Sequence, residues 1–108
     1  MRKTTQHEID SARPALAGLC AAIASLGSAA EVERFLGELC TPAECVDFAK
    51  RWLLVKDLLR GKTQRAVARD CGMSLCKITR GARYVRDPGS LLAECARAAL
   101  ESEKQDEK

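Results

Sequence analysis

Residues 63–80 read TQRAVARDCGMSLCKITR, and this segment determines the fold class that we predict for the chain. Its apolar spacing and its glycine predict two short helices around a tight turn. Ala68 is small enough for the second helix to cross close over the first, and Gly72 can take the left-handed backbone of the turn. Ile78 is placed to hold the second helix against the core. This spacing is typical of a helix-turn-helix.

Both short helices are preceded by a hydroxyl residue. Thr63 stands before the first helix and Ser74 before the second. At such a position the side-chain oxygen accepts a hydrogen bond from a backbone N–H of the first helical turn. We therefore expect a helix-turn-helix over residues 63–84, with its second helix lying in the major groove of DNA.

Positive charge is concentrated in the same part of the chain. Between residues 60 and 86, eight basic side chains stand against the single acid Asp70, which gives a net charge of +7. Because the whole chain has a net charge of +3, the remainder carries −4. Lys and Arg clustered in this way bind phosphates and release condensed counterions. The alternative interpretation is a solvated basic face that has no partner.

Two helices are expected before this region. The alanine-rich residues 9–26 favour a helix, in which Pro14 is tolerated near the first turn. Gly27 and Ser28 end that helix. Ser28 can cap a second helix, whose apolar residues recur at spacings of three and four.

A third helix is predicted to begin at Thr41-Pro42-Ala43-Glu44, where Thr41 and Glu44 fit a capping box and Pro42 fits the first helical position. It should run to about Arg60. We expect Trp52 to pack in the core, with ligand stacking by its indole as the alternative. The predicted apolar side consists of Cys45, Phe48, Ala49, Trp52, Val55, Leu58 and Leu59.

The C-terminal part is predicted to contain a turn and one more helix. Asp87-Pro88-Gly89-Ser90 has the composition of a turn, and a helix should follow from Leu91 to about Glu101. We therefore expect an all-α chain of about six helices that folds as a single domain. This domain, residues 1–108, would comprise helices over 9–60, the helix-turn-helix over 63–84 and a C-terminal helix over 90–102.

The cysteines and the N-terminus bear on the cellular compartment. Residues 1–20 lack the basic-then-apolar pattern of a secretory leader, and no apolar run approaches the roughly 20 residues that cross a bilayer. We therefore expect a cytoplasmic protein with reduced thiols and no membrane partner. The six cysteines form no C-x2-C pair and His7 is the only histidine, so no metal site is expected. Most cysteines should be core residues, Cys76 excepted.

At this point the sequence resembles the tryptophan repressor family. The likeness runs from about residue 36 to the last helix. It is carried by the residues Leu39 to Pro42, by LLRG (58–61), TQR (63–65) and Gly72, and by ITRG (78–81). The family serves as a standard example of helix-turn-helix docking on DNA.

The resemblance implies an intertwined all-helical homodimer, in which the helices of residues 9–60 form the dimer. It also implies an L-tryptophan corepressor, bound between two arginines that match Arg51 and Arg80. A guanidinium can both stack on an aromatic ring and pair with a carboxylate. A different aromatic amino acid, or no ligand, remains open. The corepressor-binding residues expected from the resemblance are Thr41, Arg51, Lys77, Arg80, Gly81 and Tyr84, with Lys77 and Tyr84 differing from the residues that the family has there.

The resemblance further implies contacts with a double-stranded operator. We expect Arg65 and Arg69, four residues apart on one helix face, to follow the phosphate backbone. Lys77 can donate to guanine O6 and N7 and would read a base. The expected DNA-binding residues are Gln64, Arg65, Arg69, Ser74, Leu75, Cys76, Lys77, Thr79 and Arg80.

Three functions are consistent with these features. A ligand-responsive transcriptional repressor is the first interpretation, and a ligand-independent regulator of the same fold is the alternative. A helical interaction module without a DNA partner is the third, although the concentrated positive charge argues against it. An enzyme is not expected, because the sequence offers no Cys/His pair near a glycine-rich turn and no carboxylate pair in an apolar setting.

Overall fold

The computed structural model describes residues 3–106, which form six helices and no strand. The all-α prediction is thereby confirmed. The helices are α1 (Gln6–Ala24), α2 (Ala29–Leu39), α3 (Pro42–Leu59), α4 (Gln64–Cys71), α5 (Leu75–Arg86) and α6 (Leu91–Asp106). The chain divides into two compact units, one up to Pro42 and one from Ala43 onward. A single domain over residues 1–108 stays a prediction.

In the first unit, α1 differs in position from the predicted helix. It begins at Gln6 because the Thr5 side chain accepts a hydrogen bond from the backbone N–H of Glu8, at 3.2 Å. Pro14 consequently lies well inside the helix rather than near its first turn. The helix ends at Ala24, and Ser25 donates its backbone N–H to the carbonyls of the last turn. The expectation that α1 runs from residue 9 to residue 26 was therefore wrong at both ends.

The start of α2 was predicted correctly. The Ser28 side chain accepts a hydrogen bond from the backbone N–H of Glu31, at 3.2 Å. Within this helix Val32, Phe35 and Leu36 are half-buried, and no residue of α1 or α2 is fully buried. The two helices therefore retain an accessible apolar side.

The core of the second unit is built around the helix-turn-helix. Leu54 of α3 packs with Val67 and Cys71 of α4 and with Ile78 of α5, and all four are buried. Val67 and Ile78 are fully excluded from solvent. This cluster fixes the two short helices against the C-terminal half of α3, as the apolar position 78 predicted.

α5 comes close to α3 at Gly81. A Cβ atom built on Gly81 would lie 2.6 Å from Cδ2 of Leu54 and 3.2 Å from its Cγ. Real Cβ atoms do not come so near a neighbour, and only glycine leaves room for the Leu54 side chain at this crossing.

α6 is longer than predicted. It starts after the expected turn, where the Ser90 side chain accepts a hydrogen bond from the backbone N–H of Ala93, at 3.1 Å. Ala93 and Ala96 are completely buried, so the first half of α6 packs closely. The helix continues beyond Glu101 to Asp106, and Glu103 in this extension pairs with Lys56 of α3. Its polar composition had suggested a tail, whereas this ion pair gives the extension a tertiary contact.

Two expectations about the core were wrong. In the single chain Trp52 keeps 36% of its surface exposed and Phe48 keeps 45%, although Trp52 was expected in the core and Phe48 on the apolar side of α3. Leu54, which was not on the predicted apolar side, is 2% exposed. Near its C-terminus, α3 therefore buries the side that carries Leu54, because α4 and α5 pack against that side.

The cysteines are also less buried than expected. None of the six forms a disulfide, and only Cys71 is buried. Cys20, Cys76 and Cys95 are exposed, and Cys40 and Cys45 are half-buried.

Candidate nucleic-acid interface

The segment α4–turn–α5, residues 63–86, is called the reading head below. The Thr63 side chain accepts a hydrogen bond from the backbone N–H of Ala66, at 3.1 Å, and Ser74 accepts one from Lys77, at 3.4 Å. Gly72 ends α4 with φ 63° and ψ 31°, a left-handed conformation that favours glycine. The two caps and the turn predicted from the sequence are confirmed.

α5 has one buried side and one exposed side. Ile78, Gly81 and Ala82 are buried. The opposite side borders an open groove of about 590 Å³. Six residues line this groove: Leu75, Cys76, Thr79, Arg80, Arg83 and Tyr84. All six belong to α5, so this side of the helix is accessible to a partner.

The residues predicted to bind DNA all belong to the reading head. Gln64 and Arg65 are exposed in the first turn of α4. The Arg69 side chain, one turn later, is 78% exposed. Leu75 is 61% exposed at the start of α5. Ser74, Cys76, Lys77, Thr79 and Arg80 are also exposed. The structure therefore brings these residues together on one accessible segment, and their individual contacts with DNA stay predictions.

The eight basic residues between positions 60 and 86 fall into two groups. Three of them form ion pairs with carboxylates: Arg60, Lys62 and Arg69. Within residues 3–106, the other five have no acidic partner within ion-pair distance: Arg65, Lys77, Arg80, Arg83 and Arg86. The positive charge that is unpaired is therefore carried by the reading head itself, and mostly by α5.

Asp57 is the centre of the junction between α3 and α4. Its side chain is 5% exposed and lies 2.8 Å from Nη1 of Arg60 and 3.6 Å from Nζ of Lys62. The backbone N–H of Lys62 donates to the carbonyl of Asp57, at 3.1 Å. Lys62 Nζ also lies 3.6 Å from Oδ2 of Asp70 in α4. A buried carboxylate with two cationic partners thus ties the end of α3 to the reading head.

Glu103 extends this arrangement to α6. It accepts hydrogen bonds from Lys56 and from Nη2 of Arg60, the latter at 2.9 Å. The hydrogen bond from Lys56 is the main cause that lowers the pKa of Glu103 below its ordinary value. The hydrogen bond to Asp57 likewise raises the pKa of Arg60. Six side chains in three helices and one turn therefore form a continuous series, called the ion-pair chain below: Glu103, Lys56, Arg60, Asp57, Lys62 and Asp70.

Most of the predicted corepressor-binding residues lie on α5. Lys77, Arg80, Gly81 and Tyr84 follow one another at spacings of three, one and three, which places them on one side of the helix. Arg80 and Tyr84 line the groove, and Tyr84 keeps 40% of its surface exposed. Gly81 is buried against Leu54 instead of opening to solvent.

The other two predicted corepressor-binding residues lie outside α5. Arg51 is exposed on α3 in the same unit. Thr41 is exposed in the first unit, immediately before α3. The corepressor site stays a prediction.

Comparison with known proteins decides the family. A family model described as Trp repressor protein matches residues 14–95. The chain belongs to the Trp repressor family. No curated protein and no solved structure matched the chain. Members of the Trp repressor family are DNA-binding regulators without enzymatic activity, so this chain is a DNA-binding transcriptional regulator and not an enzyme.

The match also bears on the rest of the chain. It includes most of α1, all of α2 to α5 and the start of α6, which is further toward the N-terminus than the motif likeness reached. Among residues 3–106, no helix has the length and apolar content needed to span a membrane. The cytoplasmic location stays a prediction.

Sequence reasoning missed the residues that position the reading head. Leu54, Asp57 and Glu103 were not singled out, although each contacts it directly or through the ion-pair chain. For Asp57 a local signal existed, because an acid three residues before Arg60 and five before Lys62 can reach both near the end of a helix. For Glu103 no such signal existed, since its partners are 43 and 47 residues away.

Proposed function

We propose that this member of the Trp repressor family is a transcriptional repressor that binds its operator as a homodimer when an aromatic amino acid, L-tryptophan, is bound. The observation that carries the proposal is the exposed side of α5, where Lys77, Arg80 and Arg83 form no ion pair with any acid among the described residues 3–106. An exposed helix fits into the DNA major groove, which is about 12 Å wide, and unpaired cations on that helix can contact the DNA there.

The two helices of the reading head would have different roles. α4 would position the protein on the DNA backbone, and α5 would contact the bases. Arg65 and Arg69 lie one turn apart on one face of α4 and would contact neighbouring phosphates along the DNA backbone. Lys77 lies in the first turn of α5, where the recognition helix of this motif meets base edges. Phosphate contacts would supply affinity and Lys77 would supply sequence preference.

The homodimer is supported by the apolar surface of α3. Phe48 is 45% exposed, Leu53 is 42% exposed and Trp52 is 36% exposed, all within six residues. Apolar side chains left accessible in a contiguous patch mark an interaction surface. A second copy would cover them, and a two-fold dimer would present two reading heads about 34 Å apart, one turn of DNA.

The corepressor proposal rests on the arginines. Arg80 lines the groove and Arg51 is exposed on α3, and neither forms an ion pair within residues 3–106. A guanidinium can stack on an indole and also bind a carboxylate, so two arginines suit an amino acid with an aromatic side chain. Bound between α3 and the reading head, tryptophan would hold α5 in the orientation that fits the groove.

Isothermal titration calorimetry with L-tryptophan, L-tyrosine and L-phenylalanine tests the corepressor directly. We expect saturable heat with L-tryptophan, which is lost in Arg80→Ala and weakened in Arg51→Ala. Arg86→Ala is the matched control, because Arg86 is an exposed α5 arginine that does not line the groove. The absence of heat with all three amino acids at millimolar concentration would contradict the proposal.

A ligand-independent regulator is the second candidate, and Tyr84 is the observation that favours it. Tyr84 lines the groove together with Arg80, and its phenol ring would compete for space with an indole bound there. Tyr84→Ser separates the two candidates, because opening the groove should strengthen tryptophan binding if the ring only crowds the site. If neither the wild-type chain nor Tyr84→Ser binds an aromatic amino acid, the second candidate replaces the first.

A further inference from the structure

We propose that Glu103 of α6 and Asp57 of α3 are positioning residues for DNA binding, which hold Arg60 and Lys62 as structural cations that orient the reading head and do not contact DNA. The inference rests on the DNA-binding function proposed above. It concerns the ion-pair chain, which lies outside the groove of α5.

Arg60 and Lys62 each have two carboxylate partners. Arg60 contacts two carboxylates at once, Asp57 at 2.8 Å and Glu103 at 2.9 Å. Lys62 likewise lies 3.6 Å from both Asp57 and Asp70. A cation that already has two carboxylate partners gains less from a phosphate than an unpaired one, because it must give up these contacts. Arg60 and Lys62 therefore differ from Arg65, for which no ion pair is found among residues 3–106.

The location of the ion-pair chain suits it to orient the reading head. It bridges α6, the C-terminal end of α3, the turn that follows and the last turn of α4. Gly61 in this turn has φ 96°, a conformation that favours glycine. Because a glycine restricts the backbone little, the direction of the turn depends on the contacts that hold its two ends. Asp57 fixes one end, through its buried carboxylate and through its carbonyl, which accepts the backbone N–H of Lys62. The path of the chain into α4 is thus set by these charges.

Glu103 connects α6 to the residues that precede the reading head. Glu103 is the only link of the ion-pair chain that α6 supplies within the described residues, and it holds both Lys56 and Arg60. Without it, Arg60 would keep Asp57 alone and its second guanidinium nitrogen would be free. The orientation of Asp57 would then be less restricted, and so would the turn before α4. Glu103 thus acts on DNA binding without touching DNA.

The test compares the salt dependence of DNA binding among glutamine variants. The probe is a duplex of about three helical turns, selected from a random library by the wild-type chain with millimolar L-tryptophan present. Glu103→Gln, Arg60→Gln and the double variant are measured beside Arg65→Gln, which is the matched control for a phosphate contact. Glu103 is 46% exposed, so its replacement is compatible with folding, which thermal unfolding followed by circular dichroism verifies.

We expect Arg65→Gln to reduce the slope of log affinity against log salt by about 0.9. Glu103→Gln and Arg60→Gln should each weaken binding roughly 3- to 10-fold and leave that slope unchanged. The double variant should be weakened by less than the product of the two single effects, because both substitutions remove the contact between Arg60 and Glu103. If Glu103→Gln does not fold, Glu103→Asp, which keeps the charge but shortens the side chain that reaches Arg60, takes its place with the same expectation.

Two results would overturn the inference. One is a fall in the slope of Arg60→Gln equal to that of Arg65→Gln, which would make Arg60 a phosphate contact. The other is unchanged affinity in Glu103→Gln. Failure of the wild-type chain to select any duplex is a different result, because it would overturn the DNA-binding function itself.

Discussion

Gly81 of α5 lies so close to Leu54 of α3 that a Cβ atom on the glycine would stand 2.6 Å from Cδ2 of the leucine. Leu54 cannot turn away easily, since it is 2% exposed and packs with Val67, Cys71 and Ile78. The crossing of α5 over α3 therefore depends on the absence of one methyl group. This crossing sets the position of the groove-lining side of α5.

Gly81→Ala should destabilise the fold. An alanine favours a helix over glycine by about 0.5–1 kcal/mol, whereas forcing a methyl group into a packed crossing costs about 1–3 kcal/mol. The second effect is larger, and we expect a net loss in the free energy of unfolding, measured by urea denaturation. In a Leu54→Ala background the same substitution should carry no such cost, because the clashing atoms are gone.

Gly18→Ala in α1 is the control for this prediction. Nothing lies within 4 Å of a Cβ built there, so only the helix preference should remain and stability should not fall. Equal losses for Gly18→Ala and Gly81→Ala would show that the contact with Leu54 is not the cause.

The stability of the ion-pair chain should depend on pH. The hydrogen bond from Lys56 lowers the pKa of Glu103 in the folded chain. A carboxyl group with a lowered folded pKa adds stability above its unfolded pKa of about 4.3, and this contribution is lost as the pH falls through the folded value. Wild type should therefore be more stable than Glu103→Gln at neutral pH, and the difference should vanish in acid.

Urea denaturation of both chains across this pH range measures the effect. Glu101→Gln is a suitable control, because Glu101 lies on the same helix and forms no ion pair within residues 3–106. A difference between wild type and Glu103→Gln that persists unchanged in acid would mean that the charge of Glu103 does not stabilise the fold.

The reading head was predictable from the sequence because its signals are local. Thr63, Gly72 and Ser74 each act on a backbone within a few residues, and Ile78 follows from helix periodicity. The resemblance to the Trp repressor family was also carried by this short segment.

The packing of α3 was not predictable in the same way. Whether Leu54 or Trp52 faces the core depends on where α4 and α5 lie, which helix periodicity alone does not determine. The length of α6 depends on Glu103, whose partners Lys56 and Arg60 are distant in sequence. The corepressor residues came from the resemblance alone, and Gly81 shows that one of them also serves the packing of α5.

Three substitutions in the reading head should separate phosphate contact from base reading. Arg65→Ala and Arg69→Ala should weaken binding to all duplexes and lower the salt slope by about one unit each. Lys77→Ala should instead relax the preference at one position of the selected duplex by about 1–3 kcal/mol. Competition among single-base variants of that duplex measures this, and identical behaviour of all three substitutions would contradict the assigned roles.

The homodimer predicts a change at Trp52, which is the only tryptophan in the chain. Its indole is 36% exposed in one chain, and a second copy covering α3 would bury it. Sedimentation at micromolar concentration should show twice the mass of one chain, with indole emission shifting to longer wavelength on dilution. A single-chain mass at that concentration, with emission independent of dilution, would contradict the dimer.

The central claim is that tryptophan and operator DNA bind this regulator cooperatively. The most direct measurement is the affinity of the wild-type chain for its selected duplex, by fluorescence anisotropy, as L-tryptophan is raised to millimolar concentration. A coupling of roughly 1–3 kcal/mol predicts an affinity about 5- to 150-fold higher with tryptophan, and an equal gain in tryptophan affinity when DNA is bound. Arg80→Ala should abolish this response. A DNA affinity that stays the same at every tryptophan concentration would contradict cooperative binding of tryptophan and operator DNA.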